Sequence, residues 1–584
     1  MKIDKDRRSF DYSPFARKKG EKSFELQKER REAARYAAKM LLLGKSSLEE
    51  IKKGTSKKFS LKGVLRNSDI LAVLGERERT RRVLALLLKT PTRTLSGVSP
   101  VAVMPKPFPC VGKCTYCPKG VDAPQSYTGF EPMTMRAMQS HYDPRKQVEV
   151  RIKQYSQQGH PTDKCHLILM GGTFLAVPKD YRHEFLKGCF DAFNGFDAPT
   201  FEEAKEANEK AAHRVIGATF ETRPDWCFEK EIDDALYLGG TQMELGVQTL
   251  SDEVYKKVNR GHTVEDVAKA TRLLKNSAFK VGYHMMPGLF ATPDEDEEYF
   301  RMLFEDERFR PDMLKIYPAM VLKGTPLYAQ YEKGEFVPYT TEEAAQVIAK
   351  ITKYIPKYTR VMRVQRDIPS TLISAGVKHS NLRQLVDVKL KEMGLKCACI
   401  RCREIGSEER RASQQGRILK GENDSKQPDA VNSERRNASG QGGAGSNKEE
   451  RKKGAGLKLR LQRMDYEASG GQEIFLSFED KGKDALAGFC RLRIPQESHR
   501  KEIDAKTALI RELHVYGSEV AIGKDEKGKA QHQGLGKRLL FEAQRIASEE
   551  FERKKILVIS GVGAREYYYR LGYKADGPYV SKTI

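Results

Sequence analysis

The chain has 584 residues, is 39% hydrophobic and carries a net charge of +24. That length exceeds one hydrophobic core, so several domains are expected. Ten cysteines in such a chain exclude a disulfide scaffold, and no apolar run approaches the ~18 residues of a membrane span. The opening "MKIDKDRRSF" mixes charges of both signs and has no apolar stretch, unlike a secretory signal. The expectation is a cytoplasmic protein that does not engage a membrane.

Residues 1–95 read as a basic, largely helical segment, with "FELQKERREAARYAAKMLLL" and "RERTRRVLALLLK" as helices. The first 100 residues hold 26 Lys/Arg and 12 Asp/Glu, an excess of +14, which suits a polyanion such as nucleic acid. From 96 to 395 short apolar runs ("CHLILMGG", "RVIGATFE", "QMELGVQ", "KVGYHMMPG", "MLKIYPAMV") alternate with amphipathic stretches such as "TVEDVAKATRLLKN". That alternation predicts βα units around a parallel sheet, with chemistry at the strand ends. Residues 396–406 form a cysteine-rich segment. Residues 407–456 contain no aromatics and are dominated by Gly, Ser, Asn, Gln and charge, the composition of a disordered linker. Residues 457–584 predict a second α/β domain, with strands in "EIFLSFED", "ALAGFCRLRI", "ALIRELHVYG" and "KKILVISG" and a helix over about 535–552.

Three motifs carry chemistry. Cys110, Cys114 and Cys117 in "CVGKCTYC" supply three thiolates, one fewer than a closed zinc site needs. Three thiolates can hold three irons of a [4Fe–4S] cluster and leave the fourth iron open; a structural zinc is the alternative. Cys397, Cys399 and Cys402 in "CACIRC" form a second trio at a domain border, where zinc would tie a short segment together, with His379 as candidate fourth ligand. Gln531, Gly534, Leu535 and Gly536 in "QHQGLGKRLL" open a helix whose amides would cradle a pyrophosphate. Cys165, Cys189, Cys227 and Cys490 sit in apolar contexts and read as buried and inert. Trp226 reads as packing, and Lys315 as a strand-end lysine that either meets substrate or faces solvent.

The first motif resembles the signature of radical SAM enzymes. The resemblance implies that the open iron chelates S-adenosylmethionine, and that Gly171 and Gly172 in "LILMGGTF" let backbone approach its methionine end. "FETRPDW", "LGVQT", "NRGHT" and "HMMPGL" follow in the order of that family's later strand ends. The third motif, set between "RELHVYG" and "SGVGAREYYYRLGY", resembles GNAT acetyltransferases. The fold class implied is α/β: a radical SAM partial (β/α) barrel followed by a GNAT-type domain, behind a basic helical N-terminal segment.

The combination is similar to the catalytic subunit of Elongator over nearly the whole chain. That resemblance implies a tRNA-modifying enzyme acting on the wobble uridine of the anticodon stem-loop and forming 5-carboxymethyluridine. Its cofactors would be a [4Fe–4S] cluster and S-adenosylmethionine, with acetyl-CoA as co-substrate and zinc at the second cysteine trio. Acetyl-CoA is implied to meet Glu512, Leu513, His514, Val515, Gly534, Leu535, Gly536 and Tyr567, with Lys164 also in contact. Tyr567, Tyr568 and Lys164 are the implied catalytic residues. The main alternative is a protein lysine acetyltransferase whose cluster is only structural; a second is an RNA-binding scaffold without catalysis. A homodimer and an assembly with other subunits are both compatible with the sequence.

Overall fold

The computed structural model describes residues 21–44, 46–88, 94, 96–405, 458–516 and 534–584. The expected linker at 407–456 and Gln531 lie outside the described residues. The chain divides into two compact units, one of Met1–Arg93 with Ile152–Pro161, the other of Thr94–Arg151 with Thr162–Ile584. The expected border at 95 is therefore close, but 152–161 leaves the barrel segment for the N-terminal unit. There a methyl group at Gly159 would lie 3.2 Å from Leu71 and 3.5 Å from Leu88.

The N-terminal unit is helical, with Glu21–Leu43, Leu48–Lys58, Asn67–Leu71 and Arg81–Leu87. Ser47 caps the second helix, accepting from the Glu50 amide while Glu50 accepts from the Ser47 amide. Ala33, Ala37, Leu41, Ile51, Ile70 and Leu87 make its core. Small alanines let the helices approach closely, and the charged residues are left on the outside.

The second unit begins with a seven-stranded parallel sheet. Its strands are β1 (Ser99–Val103), β2 (Lys164–Leu169), β3 (Arg214–Thr222), β4 (Gln242–Gln248), β5 (Lys280–Met285), β6 (Met313–Ile316) and β8 (Arg360–Val364). They pair in chain order, so each crossover helix lies on the outer face and the sheet curls as a partial barrel. Outward residues are fully buried under those helices, as Cys165, Leu167 and Leu169 are on β2. A two-stranded antiparallel pair joins β7 (Val321–Leu322) and β9 (Ile373–Ala375).

The second sheet runs β10 (Arg460–Glu467), β11 (Gly471–Asp480), β12 (Ala485–Pro495), β13 (Thr507–Val515), β14 (Lys555–Val558), β16 (Tyr579–Thr583), β15 (Lys574–Asp576). All neighbours are antiparallel except β13 and β14, which pair in parallel only over Thr507–Ile510 and Lys555–Val558. Beyond Ile510, β13 keeps β12 as its partner but leaves β14, so the two strands splay. At that point Arg491 faces Glu512 while Leu492 faces Ile510, making Arg511 the extra residue of a β-bulge. The expected helix over 535–552 is α-helical from Leu535 to Arg545 and ends in a π turn, Ile546–Glu550.

A buried ionic seam joins the two sheets. Asp312, just before β6, accepts from Arg511 Nη1 at 2.6 Å and Nη2 at 2.7 Å. Glu473 accepts from Arg511 and from Arg493, and Arg493 also donates to Asn276 Oδ1. Asp312, Arg511, Arg493 and Glu473 are at most 1% exposed. Burial alone would favour the neutral acid, but Arg511 and then Arg491 hold the Asp312 carboxyl far below its usual range. Each charge is desolvated and each is paired, so removing one partner strands the other. The seam fixes the second sheet against the end of the barrel where the strands start.

Candidate active site

At the opposite end, the loop after β1 carries Cys110, Cys114 and Cys117. Cys114 is buried and the other two are half-buried. The Gly112 amide donates to Cys110 Sγ at 3.3 Å, and Arg260 Nη1 donates to Cys114 Sγ at 3.3 Å. Burial pushes the Cys117 thiol up to about 11. Several buried polar atoms around this loop have no protein partner: Arg223 Nη1, Arg260 Nε, and both ring nitrogens of His262. A methyl group at Gly112 would lie 2.2 Å from Arg223 Nη1, so glycine is what lets the guanidinium reach the cysteine loop. Unpaired buried donors are costly unless something anionic accepts from them. A thiolate-ligated cluster with bridging sulfides is such an acceptor, and three cysteines plus converging donors fit it. Arg223 and Arg260 come from "FETRPDW" and "NRGHT", so these motifs place donors beside the cysteines.

Gly171 and Gly172 follow β2 with φ of +127° and +86°. A Cβ on Gly171 would lie 3.1 Å from Pro105 Cδ, and both glycines line a crevice with Cys110 and Gln125. Bare backbone thus faces the cysteine loop, where an amino-acid ligand needs close approach.

Facing into the barrel is a quartet of charged residues. Glu221 and Glu244 are level on β3 and β4, and His284 is level with Lys315 on β5 and β6. Lys315 Nζ contacts Glu244 and lies 3.2 Å from Glu221, while His284 Nε2 lies 3.0 Å from Glu244 Oε2. Lys315, 13% exposed, is therefore not a solvent-facing strand lysine; it pairs with the carboxylates of Glu221 and Glu244. It holds the Glu244 carboxyl well below its usual value against the opposing effect of burial. Glu221, Glu244 and His284 could hold a metal by proximity, but the Lys315 ammonium already occupies their midst. A cavity at the mouth reaches Glu221 and His284 and is lined also by Tyr127, Gln248, Tyr317 and Arg366.

The splay of β13 builds the second candidate site. Leu513 and Val515 turn toward the helix Leu535–Arg545 and pack against its core. Glu512 and His514 turn toward the barrel. Glu512 accepts from Arg491 Nε at 2.9 Å, and His514 Nε2 is buried without a partner. Gly534 opens the helix with φ +67°, and a methyl group at Gly536 would lie 3.2 Å from Tyr567 Oη and 3.6 Å from Val515 Cγ2. Glycines at a helix start, the part of β13 that has left β14 and a tyrosine hydroxyl thus converge. Tyr567 is 37% exposed, and burial of its hydroxyl raises the phenol to about 12, keeping it a neutral donor. Tyr568 is 7% exposed and packs on Tyr573 in the core. The catalytic reading of Tyr568 is therefore corrected: one step along a helix rotates it from the groove into the interior. Lys164 starts β2 on the face that alternates with Cys165 and so belongs to the barrel interior.

Cys397, Cys399 and Cys402 bring their sulfurs within 4.8 Å of one another. A single tetrahedral zinc with Zn–S near 2.3 Å needs that closeness. Hydrogen bonds from Cys397 and Cys402 hold the Cys399 thiol well below its usual value. His379 is exposed and is not part of the trio, so its reading as the fourth ligand is corrected. Arg383 stands beside the trio instead, with Nη2 3.3 Å from Cys402 Sγ. Cys165, Cys189, Cys227 and Cys490 are buried, as expected, and all ten cysteines are free of disulfides.

A three-cysteine loop over a parallel partial barrel, with a splayed mixed sheet behind it, defines a radical SAM enzyme fused to a GNAT-type domain. The Radical SAM superfamily model matches residues 109–303, the Radical_SAM C-terminal domain 311–392, and the ELP3 N-terminal domain 25–95. The chain is 46% identical over 551 residues to the tRNA uridine(34) acetyltransferase of Methanocaldococcus infernus, covering 93% of this chain and 96% of that one. It is 40% identical over 551 residues to Elongator complex protein 3 of Homo sapiens, covering 92% and 93%. The solved structure of archaeal Methanocaldococcus infernus Elp3 with an N-terminal deletion aligns with a TM-score of 0.68 and 44% identity, over 84% of this chain and all of that one. The chain belongs to the family of Elongator complex protein 3 and the tRNA uridine(34) acetyltransferases.

Proposed function

We propose that this chain modifies the wobble uridine of tRNA, installing a carboxymethyl group at carbon 5 with acetyl-CoA as donor. What supports the reading is that two candidate sites, the cysteine loop at the barrel mouth and the groove between Gly534–Gly536 and Tyr567, lie in one compact unit. When bound, the cluster with S-adenosylmethionine supplies a 5′-deoxyadenosyl radical, which can take hydrogen from an acetyl methyl group. Cys110, Cys114 and Cys117 would hold the cluster, with Arg223, Arg260 and His262 donating toward it and Gly171–Gly172 facing the methionine end. The β13 edge from Glu512 to Val515 and the amides at Gly534–Gly536 would hold acetyl-CoA. Lys164 would polarise the thioester carbonyl. Tyr567 would give its proton to the departing CoA sulfur as water cleaves the thioester. The base must leave its stack to reach a site inside a barrel mouth, and the basic N-terminal unit suits the tRNA backbone.

Zinc at Cys397, Cys399 and Cys402 would brace the segment between the sheets; metal analysis of purified protein should find about one zinc per chain, lost in a Cys399→Ser variant. Free cysteines throughout suit a reducing, cytoplasmic setting. No helix among the described residues is long and apolar enough to cross a membrane. The test of the main reading is anaerobic reconstitution with reductant, S-adenosylmethionine, acetyl-CoA and unmodified tRNA. Mass spectrometry should find 5′-deoxyadenosine and 5-carboxymethyluridine. Protein acetylation without either product would favour the lysine acetyltransferase alternative instead.

A further inference from the structure

A cavity of about 420 Å³ shares no lining residue with the mouth cavity or with the crevice beside the cysteine loop. Its barrel-side wall is made by Glu202 and Lys205 on the helix Phe201–Asn208 and by Asp233 and Tyr237 on the helix Glu229–Tyr237. Arg500, Arg565 and the turn at Gly577–Pro578 make the wall on the side of the second sheet. Arg565 stands two positions before Tyr567, and two steps along a helix reverse a side chain's direction. Arg565 therefore points away from the groove that Tyr567 faces. The volume is within the range of sites for small molecules.

The charges around this cavity are unequally engaged. Asp233 pairs with Arg500 at 2.6 Å, and Arg500 pairs also with Glu502 at 2.8 Å. Glu202 Oε1 accepts from the Tyr237 hydroxyl at 2.5 Å. The other two cations have capacity left. Lys205 Nζ donates to the Tyr237 carbonyl at 2.9 Å and stands over the rings of Phe201 and Tyr237, with no carboxylate paired to it among the described residues. Arg565 donates to the Pro578 carbonyl at 3.0 Å and reaches Glu209 only at 3.4 Å, a carboxylate it shares with Tyr569. Its Nε is buried without a partner. Burial lowers the Lys205 ammonium to about 8; Glu202 opposes that shift and Arg565 adds to it. Two cations thus repel each other in one cavity, and an anion between them would relieve both. A dianion matches two cations, and a phosphate monoester is dianionic above about pH 6.

We propose that this cavity is a binding site for a small phosphate monoester of the sugar phosphate class, its phosphate held between the Lys205 ammonium and the Arg565 guanidinium. The uncharged body lies along Leu236, Val562 and the Gly577–Pro578 backbone, which also line the space. Glu202 is exposed at the rim, where its carboxylate accepts from hydroxyl groups and repels a longer polyphosphate. Because its walls come from barrel helices and from the second sheet, the bound ligand bridges the two. Neither cation belongs to the candidate sites described above, so this site stands or falls apart from the proposed reaction.

The test is calorimetric titration of the full chain with ribose 5-phosphate and inorganic phosphate, and with ribose as the uncharged control. Ribose 5-phosphate should bind more tightly than inorganic phosphate, and ribose should not bind. Lys205→Gln and Arg565→Gln should each weaken ribose 5-phosphate about tenfold or more, whereas Lys210→Gln, at an exposed position outside the cavity, should leave it within twofold. Between pH 7 and 9 the affinity of the wild type should fall as Lys205 loses its proton. The other facing groups hold their charge there: Glu202 and Asp233 stay anionic, Arg500 and Arg565 stay cationic, and Tyr237, raised to about 12, stays neutral. Lys205→Gln should abolish that pH dependence. Should Arg565→Gln fail to fold by circular dichroism, Lys205→Gln and the pH profile carry the test. No binding of ribose 5-phosphate to the wild type, or equal binding in the folded variants, would overturn the site. Loss of tRNA affinity in both variants, with no binding of ribose 5-phosphate to the wild type, would assign the cavity to an RNA phosphodiester and overturn it as well.

Discussion

The two ends of the parallel sheet are built on opposite principles. At the strand-start end, Asp312, Arg511, Arg493 and Glu473 are almost wholly buried, and each is paired with an opposite charge. At the mouth, Arg223, Arg260 and His262 are also buried but keep nitrogens without a protein partner. A satisfied network fixes geometry, whereas an unsatisfied one waits for a ligand. The contrast marks the cysteine loop as a place prepared for a ligand and the seam as a brace, on one set of strands.

The largest effect expected at the mouth is from Cys114→Ala. It should abolish cluster assembly, read as loss of the iron–sulfur absorbance and of 5′-deoxyadenosine to background, with acetyl-CoA affinity within twofold. Preserved radical formation would dissolve the contrast from one side. At the seam, Asp312→Asn leaves Arg511 short of a counter-charge and should cost about 3–5 kcal/mol, read as a lower midpoint in chemical denaturation. An unchanged midpoint would show that the seam is not what holds the sheets. Tyr567→Phe should slow product formation about a hundredfold or more without lowering the melting temperature. Tyr568→Ala should show the reverse pattern, a lower melting temperature at near-normal rate, because it removes a ring packed in the core.

The smallest effect is a pH dependence. Burial lowers His166 to about 3 and His514 to about 4, below the usual imidazole value. The unfolded chain therefore binds more protons than the folded one between about pH 6.5 and pH 4, and stability should fall as pH drops through that window. The Asp312 carboxylate is depressed in the folded state, so its contribution is held above about pH 4 and lost only in stronger acid. Denaturation midpoints of wild type and His514→Asn across pH 7 to 4 check this: the variant should have the flatter profile.

Local pattern carried much of this to the level of sequence. The inward–outward alternation of "KCHLIL" and the spacing of Cys110, Cys114 and Cys117 are short-range features, and the strands and loop fall where those features place them. What stayed hidden depends on distant pairings. Asp312 and Arg511 are 199 positions apart, and nothing near either residue announces the other. Sequence leaves Lys315 open between meeting substrate and facing solvent because its partners, Glu221 and Glu244, come from two other strands. His379 lies near "CACIRC" in the chain, yet the fold turns it to solvent and sets Arg383 there instead. Tyr567 and Tyr568 are equivalent as letters; only the packing of Tyr573 separates groove from core.

The single extra residue in β13 has a consequence for how such a chain can change. Because side chains alternate strictly along a strand, deleting Arg511 would shift the frame of everything after it. Glu512 and His514 would swap sides with Leu513 and Val515, putting a carboxylate and an imidazole into the packed layer under the helix and two aliphatic groups against the charges of the barrel. The same deletion would also remove the guanidinium that clasps Asp312. A one-residue loss here should thus be far more damaging than any substitution in the strand, and the bulge acts as a phase-setter for both partners of the fusion.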